Sequence, residues 1–215
     1  MAHIIENFIN PEIALEIKKQ SLSSSFKHSG KHPETNKLQW ENLPLYSEGL
    51  EILHPYLKEL FDDYNIDNNV NFQRCYVPFG IHHDSKKRHN PSRPDSECIQ
   101  EGFAILIPID EATEFNTVFW KEKYYDNDSM VDMFMNFGSL DEREISNNKL
   151  GEKYDLDFCW DDPRPTHKIY NHLDLDCVFN WKIGNAAVFD RMQLHSATDF
   201  TKKHPYKDAI TIFFN

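Results

Sequence analysis

From Val70 onward the residue pattern repeats with a period of two, and this restricts the fold more than any other feature of the chain. Val70, Phe72, Arg74 and Tyr76 fall on one face of an extended segment, and Asn71, Gln73, Cys75 and Val77 on the other. Strongly apolar runs follow at Phe103–Ile109 and Asn116–Trp120. Later runs come at Cys177–Trp181 and Ala186–Asp190, joined through Lys182–Asn185, and the chain closes with Ala209–Phe214. Strands of this length, separated by turns and variable loops, predict a β-sandwich or barrel.

The stretch before Val70 reads differently. Ile4–Ile9 predicts a short strand, and Asn10-Pro11-Glu12 a helix start, with Asn10 as N-cap and Pro11 in the first turn. Ile13, Ile17 and Leu22 carry that helix to about Ser21. Ser23–Gly30 is polar and predicts a mobile loop. Leu50, Leu53, Leu57, Leu60 and Phe61 predict a second helix from about Ser47 to Tyr64, kinked or divided at Pro55. Helices placed before a run of strands pack outside the sheet as support. The expected organisation is one domain over 1–215: helical support over 1–66, core strands over 70–120 and 176–215, and an acidic, Asn- and Asp-rich insertion or lid over 121–175.

A chain of 215 residues is long enough to bury a proper core. Its net charge of -12 disfavours general binding to nucleic acids or anionic membranes. The four cysteines are widely spaced with no Cys-x-x-Cys, which argues against a disulfide framework or a zinc ribbon. No basic start followed by an apolar run opens the chain, and no stretch is apolar for long enough to span a bilayer. The expectation is a soluble protein of a reducing compartment, the cytoplasm.

Chemistry enters at His82-His83-Asp84. In extended backbone His82 and Asp84 project to the same side, so an imidazole and a carboxylate converge, while His83 turns away. A third ligand candidate is His195, after the apolar run that ends in Asp190. Two histidines and one carboxylate can occupy one face of an octahedral iron, and zinc accepts the same set. Lys207 and Thr211 then share a face of the closing strand, where a cation and a hydroxyl could hold the far carboxylate of a dicarboxylic acid. Gln73, Arg74 and Tyr76 could orient such a ligand or serve as ordinary strand side chains. Arg191 could touch substrate or form a surface salt bridge, and Asp190 could simply terminate its strand.

With His82, Asp84, His195 and Lys207 assembled, the chain resembles the Fe(II)- and 2-oxoglutarate-dependent dioxygenase superfamily, especially its prolyl-hydroxylase-like and phytanoyl-hydroxylase-like branches. The resemblance covers the opening strand and helix, the core strands and the closing Asp208–Phe214, and does not cover 121–175. It implies a double-stranded β-helix (jelly roll), mostly β with supporting helices. It implies Fe(II) on His82, Asp84 and His195, and 2-oxoglutarate on Lys207; Thr211, on the same strand face as Lys207, and Tyr76 are the further co-substrate candidates that strand placement offers. The reaction it implies consumes O2 and releases succinate and CO2 while hydroxylating an amino-acid residue or small molecule, so the expected partner is a small-molecule or peptidyl substrate. Related halogenases lack the carboxylate ligand, and the presence of Asp84 therefore argues for oxygenation. The alternative is a non-catalytic, metal-stabilised, cupin-like binding protein; a zinc-dependent or cupin-type enzyme that does not use 2-oxoglutarate is a third reading. The basic run over 86–93 is a solvated loop or a guide for acidic substrates at the site's mouth. His167 and His172 suit neither a strand face nor a helix face and read as loop residues.

Overall fold

The computed structural model describes residues 1–31, 35–45, 47–60, 66–79, 81–82, 84, 102–110, 115–123, 173–201 and 203–214. The expectations for His83, the basic run 86–93, His167, His172 and nearly all of the 121–175 insertion lie outside these residues.

Strand β1 (His3–Ile5) leads into helix α1 (Pro11–Leu22). The helix begins where the cap chemistry places it: the Glu12 amide donates to Asn10 Oδ1 at 2.9 Å, and Pro11 occupies the first turn. Its buried side is Ala14, Ile17 and Ser21. Strands β2 (His28–Lys31) and β3 (Leu38–Pro44) form an antiparallel hairpin. The end of the segment expected to be a mobile loop is therefore a strand. Its polar sequence carries no alternation, and its order comes from pairing with β3. Helix α2 (Ser47–Leu60) runs through Pro55 without division. Leu53 and Leu57 are both buried, so each half is held to the core on either side of the proline.

The remaining strands are β4 (Ile66–Cys75), β5 (Phe103–Pro108), β6 (Asn116–Lys123), β7 (Leu175–Asn180), β8 (Ala186–Asp190), β9 (Gln193–Ala197) and β10 (Lys207–Phe214). Seven strands make one sheet in the order β1-β8-β5-β10-β4-β3-β2, and β7-β6-β9 make a second. Every strand pair is antiparallel. Neighbours within each sheet are mostly strands that are not consecutive in the chain, and the fold is a jelly roll with supporting helices, as expected. None of the described helices is long and apolar enough to cross a membrane.

The pleat sorts side chains into two cores. On the outer side of the large sheet Val70, Phe72, Ile105, Ile107, Ile210 and Ile212 pack with Ala14 and Ile17 of α1 and Leu53 and Leu57 of α2. On the inner side Cys75, Ala104, Ala187, Phe189 and Ala209 face Phe115, Phe119, Phe179 and Trp181. The inner residues of the large sheet are mostly small. Small residues opposite large aromatics leave room between the sheets.

Strand β10 lies at the centre of the large sheet, between β4 and β5. Asp208, fully buried, anchors its first turn of pleat on the outer side. Arg74 donates to both Asp208 oxygens, from Nε at 2.8 Å and Nη2 at 2.9 Å, and Lys18 Nζ lies 3.4 Å away. Lys18 also donates to Asp110 at 2.5 Å, and the Asp208 amide donates to the same Asp110 carboxylate. Hydrogen bonding to Asp208 raises the Arg74 pKa, whereas burial raises that of Asp110. The guanidinium also stacks on Tyr206, 3.9 Å from the ring centroid. One buried carboxylate thus joins α1, β4 and β10. Replacing Asp208 with Asn keeps the shape but leaves Arg74 without its carboxylate, while Lys18 keeps Asp110, and the expected cost is about 3 kcal/mol, read as a lower urea midpoint at unchanged m-value.

Candidate metal centre and ligand cavity

His195 sits in the middle of β9 and is buried. Phe79, His82 and Asp84, which follow β4, are tied by backbone hydrogen bonds to β9 and to Arg191 just before it. His82 and His195 exchange two of these, N to O in each direction at 3.0 Å, so they are directly opposite each other. The Ala197 amide donates to Phe79 O at 2.9 Å, and the Asp84 amide to Arg191 O at 2.8 Å. This pairing brings together side chains far apart in the sequence. The His82 and His195 ring centroids are 4.1 Å apart, and His195 Nε2 lies 3.6 Å from Asp84 Oδ2. One ligand atom from each of His82, Asp84 and His195 lies within 4.8 Å of the others.

The second nitrogen of His195 sets its tautomer. Nδ1 is 3.0 Å from the Gln193 carbonyl oxygen, which can only accept, so Nδ1 carries the hydrogen and Nε2 presents its lone pair towards Asp84. That carbonyl is held in turn, because the Gln193 carboxamide donates to Trp120 O and to Asp176 Oδ2, both at 2.8 Å. Phe189 and Phe119 pack against the His195 ring at centroid distances of 4.9 and 5.7 Å, and Phe79 against His82 at 5.6 Å. The donor set is therefore two imidazoles and one carboxylate, oriented from behind and walled by aromatics. It fits a divalent transition metal held on one face. Donors bound at right angles by bonds of about 2.1 Å stand about 3 Å apart, so small side-chain rotations close the set.

The three residues line a cavity of about 260 Å³ between the sheets. Lys207, Ala209, Thr211 and Phe213 of β10 also line it, the inner face expected from alternation. Lys207 is 6 % exposed, and no carboxylate among the described residues forms an ion pair with it. Instead its Nζ lies 4.2 Å from the Trp181 ring centroid and 5.4 Å from that of Phe200. Trp181 is fixed by an indole hydrogen bond to Thr117 Oγ1 at 2.9 Å. Burial pulls the Lys207 pKa down to about 8. Among the described residues this buried cation therefore faces the cavity without a carboxylate partner.

The other sequence candidates fall as follows. Tyr76 is not among the residues lining the cavity; its hydroxyl donates to Glu41 at 2.6 Å, and burial followed by that bond pushes its pKa up to about 12. Arg74 belongs to the Asp208 cluster on the outer side, whereas Gln73 lines the cavity. Arg191 does not reach solvent. It is fully buried, donates from Nε and Nη2 to Asp84 O at 3.3 Å, and stacks 5.0 Å from the Phe213 centroid. Asp190 does more than end its strand: it accepts the Met192 amide at 2.9 Å and pairs with Lys123 at 2.6 Å. Sequence reasoning passed over Trp40, Trp181 and Gln193. Trp181 closes an apolar run that was read as strand, but nothing local ties it to Lys207.

Among solved structures the chain is similar to the non-heme alpha ketoglutarate dependent epimerase SnoN from nogalamycin biosynthesis, with a TM-score of 0.58 and 10 % identity over 99 % of this chain and 77 % of that one. SnoN is also solved in complex with Fe3+, alpha ketoglutarate and nogalamycin RO. The non-heme alpha ketoglutarate dependent carbocyclase SnoK from the same biosynthesis gives 0.57 and 11 % over 99 % of this chain and 78 % of that one. HygX from Streptomyces hygroscopicus, with nickel and 2-oxoglutarate bound, gives 0.55 and 7 % over 100 % of this chain and 82 % of that one. This chain shares their fold. No protein-family model matches the sequence, and no curated protein matches it.

Removal of a donor from the set should be seen directly in metal binding. Asp84→Ala is expected to lower Mn(II) affinity by at least about 100-fold in an electron paramagnetic resonance titration, with Tyr76→Phe close to wild type.

Proposed function

We propose that the protein is an Fe(II)- and 2-oxoglutarate-dependent oxygenase acting on a small molecule, with hydroxylation as its reaction. On its opening strand and helix we group it with the prolyl-hydroxylase-like and phytanoyl-hydroxylase-like branches. The observation that carries this reading is the pairing, across one cavity, of a His–Asp–His donor set with a buried lysine that forms no ion pair with any described carboxylate.

His82, Asp84 and His195 would hold the iron, and Lys207 the far carboxylate of 2-oxoglutarate. Bound there with O2, the iron and the 2-oxo acid supply the oxidising equivalents, and succinate and CO2 are released. The chain's own contribution is position, charge and dryness. Asp84 supplies one negative charge, and Arg191 holds its backbone carbonyl. The Gln193 carbonyl keeps the proton on His195 Nδ1, so that Nε2 remains a ligand. Thr211 lines the same wall as Lys207 and offers a hydroxyl to the co-substrate. Phe79, Phe119 and Phe189 exclude water around the histidines.

The direct test is consumption of 2-oxoglutarate with release of succinate by protein supplied with Fe(II), O2 and ascorbate. Slow turnover without substrate is expected in wild type and none in His82→Ala. Firm metal binding without any 2-oxoglutarate consumption or binding would instead favour a metal-stabilised binding protein.

Lys207 gives a test of opposite signs. In the unfolded chain a lysine keeps its proton to about pH 10.4, whereas in the fold Lys207 releases it at about 8. Between those values the unfolded state binds more protons, so this residue's contribution to stability rises with pH across the window; below about 8 its cost is constant. That cost is about 3 kcal/mol. Lys207→Met should therefore be more stable than wild type at pH 7 in urea denaturation, yet lose 2-oxoglutarate affinity in calorimetry. In wild type the affinity should be flat below pH 8 and fall about tenfold per unit above it, as the lysine neutralises.

A further inference from the structure

Beyond the metal and the Lys207 wall, the cavity extends towards the β2–β3 hairpin, and the reason lies in one pair of residues. Gly30 and Trp40 are register partners in that hairpin, and Trp40 is in turn paired with Cys75 of β4. A Cβ on Gly30 would stand 2.2 Å from Trp40 Nε1 and 2.3 Å from its Cε2. The indole therefore lies directly on the glycine, leaning away from β4. This leaves open the space over Cys75 and Gln73, both of which line the cavity together with Trp40. The floor beneath is kept low by Ala209, the cross-strand partner of Gln73.

The chemistry of this compartment follows by subtraction. Among the described residues the ionisable groups lining the cavity are His82, Asp84, His195, Cys75 and Lys207. The first three are the metal's, and Lys207 is the co-substrate's. Burial raises the Cys75 pKa to about 11, so its thiol is neutral. What the described residues leave around the opening is an indole face, a carboxamide that both donates and accepts, and apolar walls such as Leu106 and Phe213. Among the described residues a charge brought here meets no partner to replace its hydration, whereas a ring would stack on the indole.

We propose that the space between Trp40 and Gln73 is the substrate compartment, and that it takes an uncharged, ring-bearing small molecule whose ring packs on the indole and whose polar group hydrogen-bonds to the Gln73 carboxamide. Gly30 is the positioning residue that holds Trp40 open. This rests on the oxygenase reading for the roles of Lys207 and the metal ligands, but the recognition can be measured without turnover.

The experiment uses the full chain loaded with diamagnetic Zn(II), which accepts the same ligands, and with 2-oxoglutarate. Benzamide, benzoate and benzylamine are compared as single-ring probes by saturation-transfer NMR, and 2-oxoglutarate binding is measured by calorimetry on the same samples. Saturable benzamide binding is expected, tighter than that of either charged probe, and weakened about tenfold by Gln73→Leu through loss of one hydrogen bond. Gly30→Ala should weaken it comparably by driving the indole back over Cys75. Trp40→Leu, which adds no clash, should do the same and serves if the glycine variant does not fold. Preference for benzoate or benzylamine, absence of saturable binding by any probe, or benzamide binding unchanged by Gln73→Leu and Trp40→Leu would overturn the proposal. Loss of 2-oxoglutarate binding with benzamide selectivity intact would instead overturn the co-substrate reading.

Discussion

A fully buried carboxylate, Asp208, holds the strand on which the cavity depends. On its outer side it gathers Arg74 and Lys18 and so joins β4 and α1 to the first residues of β10. Because successive strand residues point to opposite faces, fixing Asp208 outward fixes Lys207 inward. Ala209, Thr211 and Phe213 follow on the same inner wall, and Ile210, Ile212 and Phe214 on the core behind it. The charge network is thus a register device. Slipping β10 by one residue would bury Asp208 against the aromatics of the inner side and expose Lys207 to the helices.

Lys207 itself is placed at a cost to the fold. Its ammonium lies against two aromatic rings, with no described carboxylate to pair with. Cation–π contact offsets part of the desolvation, and the lowered pKa measures what is left uncompensated. A chain selected for stability alone would place an apolar residue there. The histidine centre has the opposite character. Its backbone hydrogen bonds are made, His195 has its tautomer set, and the Gln193 side chain ties that support to two further strands. The histidine end of the cavity is thus held by its own hydrogen bonds, whereas the other end carries a buried ammonium with aromatic rings and no described carboxylate around it.

Much of this was legible locally. Alternation around Val70 and Lys207 sorted side chains into two faces, because a period of two gives sidedness directly, but it did not say which face around Val70 turns inward: Gln73 lines the cavity, whereas Arg74 and Tyr76 do not. Asn10 and Pro11 marked the start of α1 for an equally local reason: the orphan amides of a helix N-terminus are satisfied by the adjacent side chain. The His-x-Asp spacing gave two converging donors, and residue types suggested His195 as the third. The hairpin was not legible. His28–Lys31 has no apolar pattern and becomes a strand by pairing with β3. Arg191 reads as a surface residue in isolation, and its burial is decided by Phe213 and the Asp84 carbonyl.

Local periodicity was enough to predict a β-sandwich or barrel and to sort the residues of each strand into two faces, and the jelly roll followed from the resemblance carried by His82, Asp84, His195 and Lys207. Only the folded chain could decide which of them meet. The direct opposition of His82 and His195, the enclosure of Lys207 by Trp181 and Phe200, the diversion of Tyr76 to Glu41, and the leaning of Trp40 onto Gly30 all depend on which strands pair and in what register. Those pairings join segments far apart in the chain, and no short window of sequence carries them.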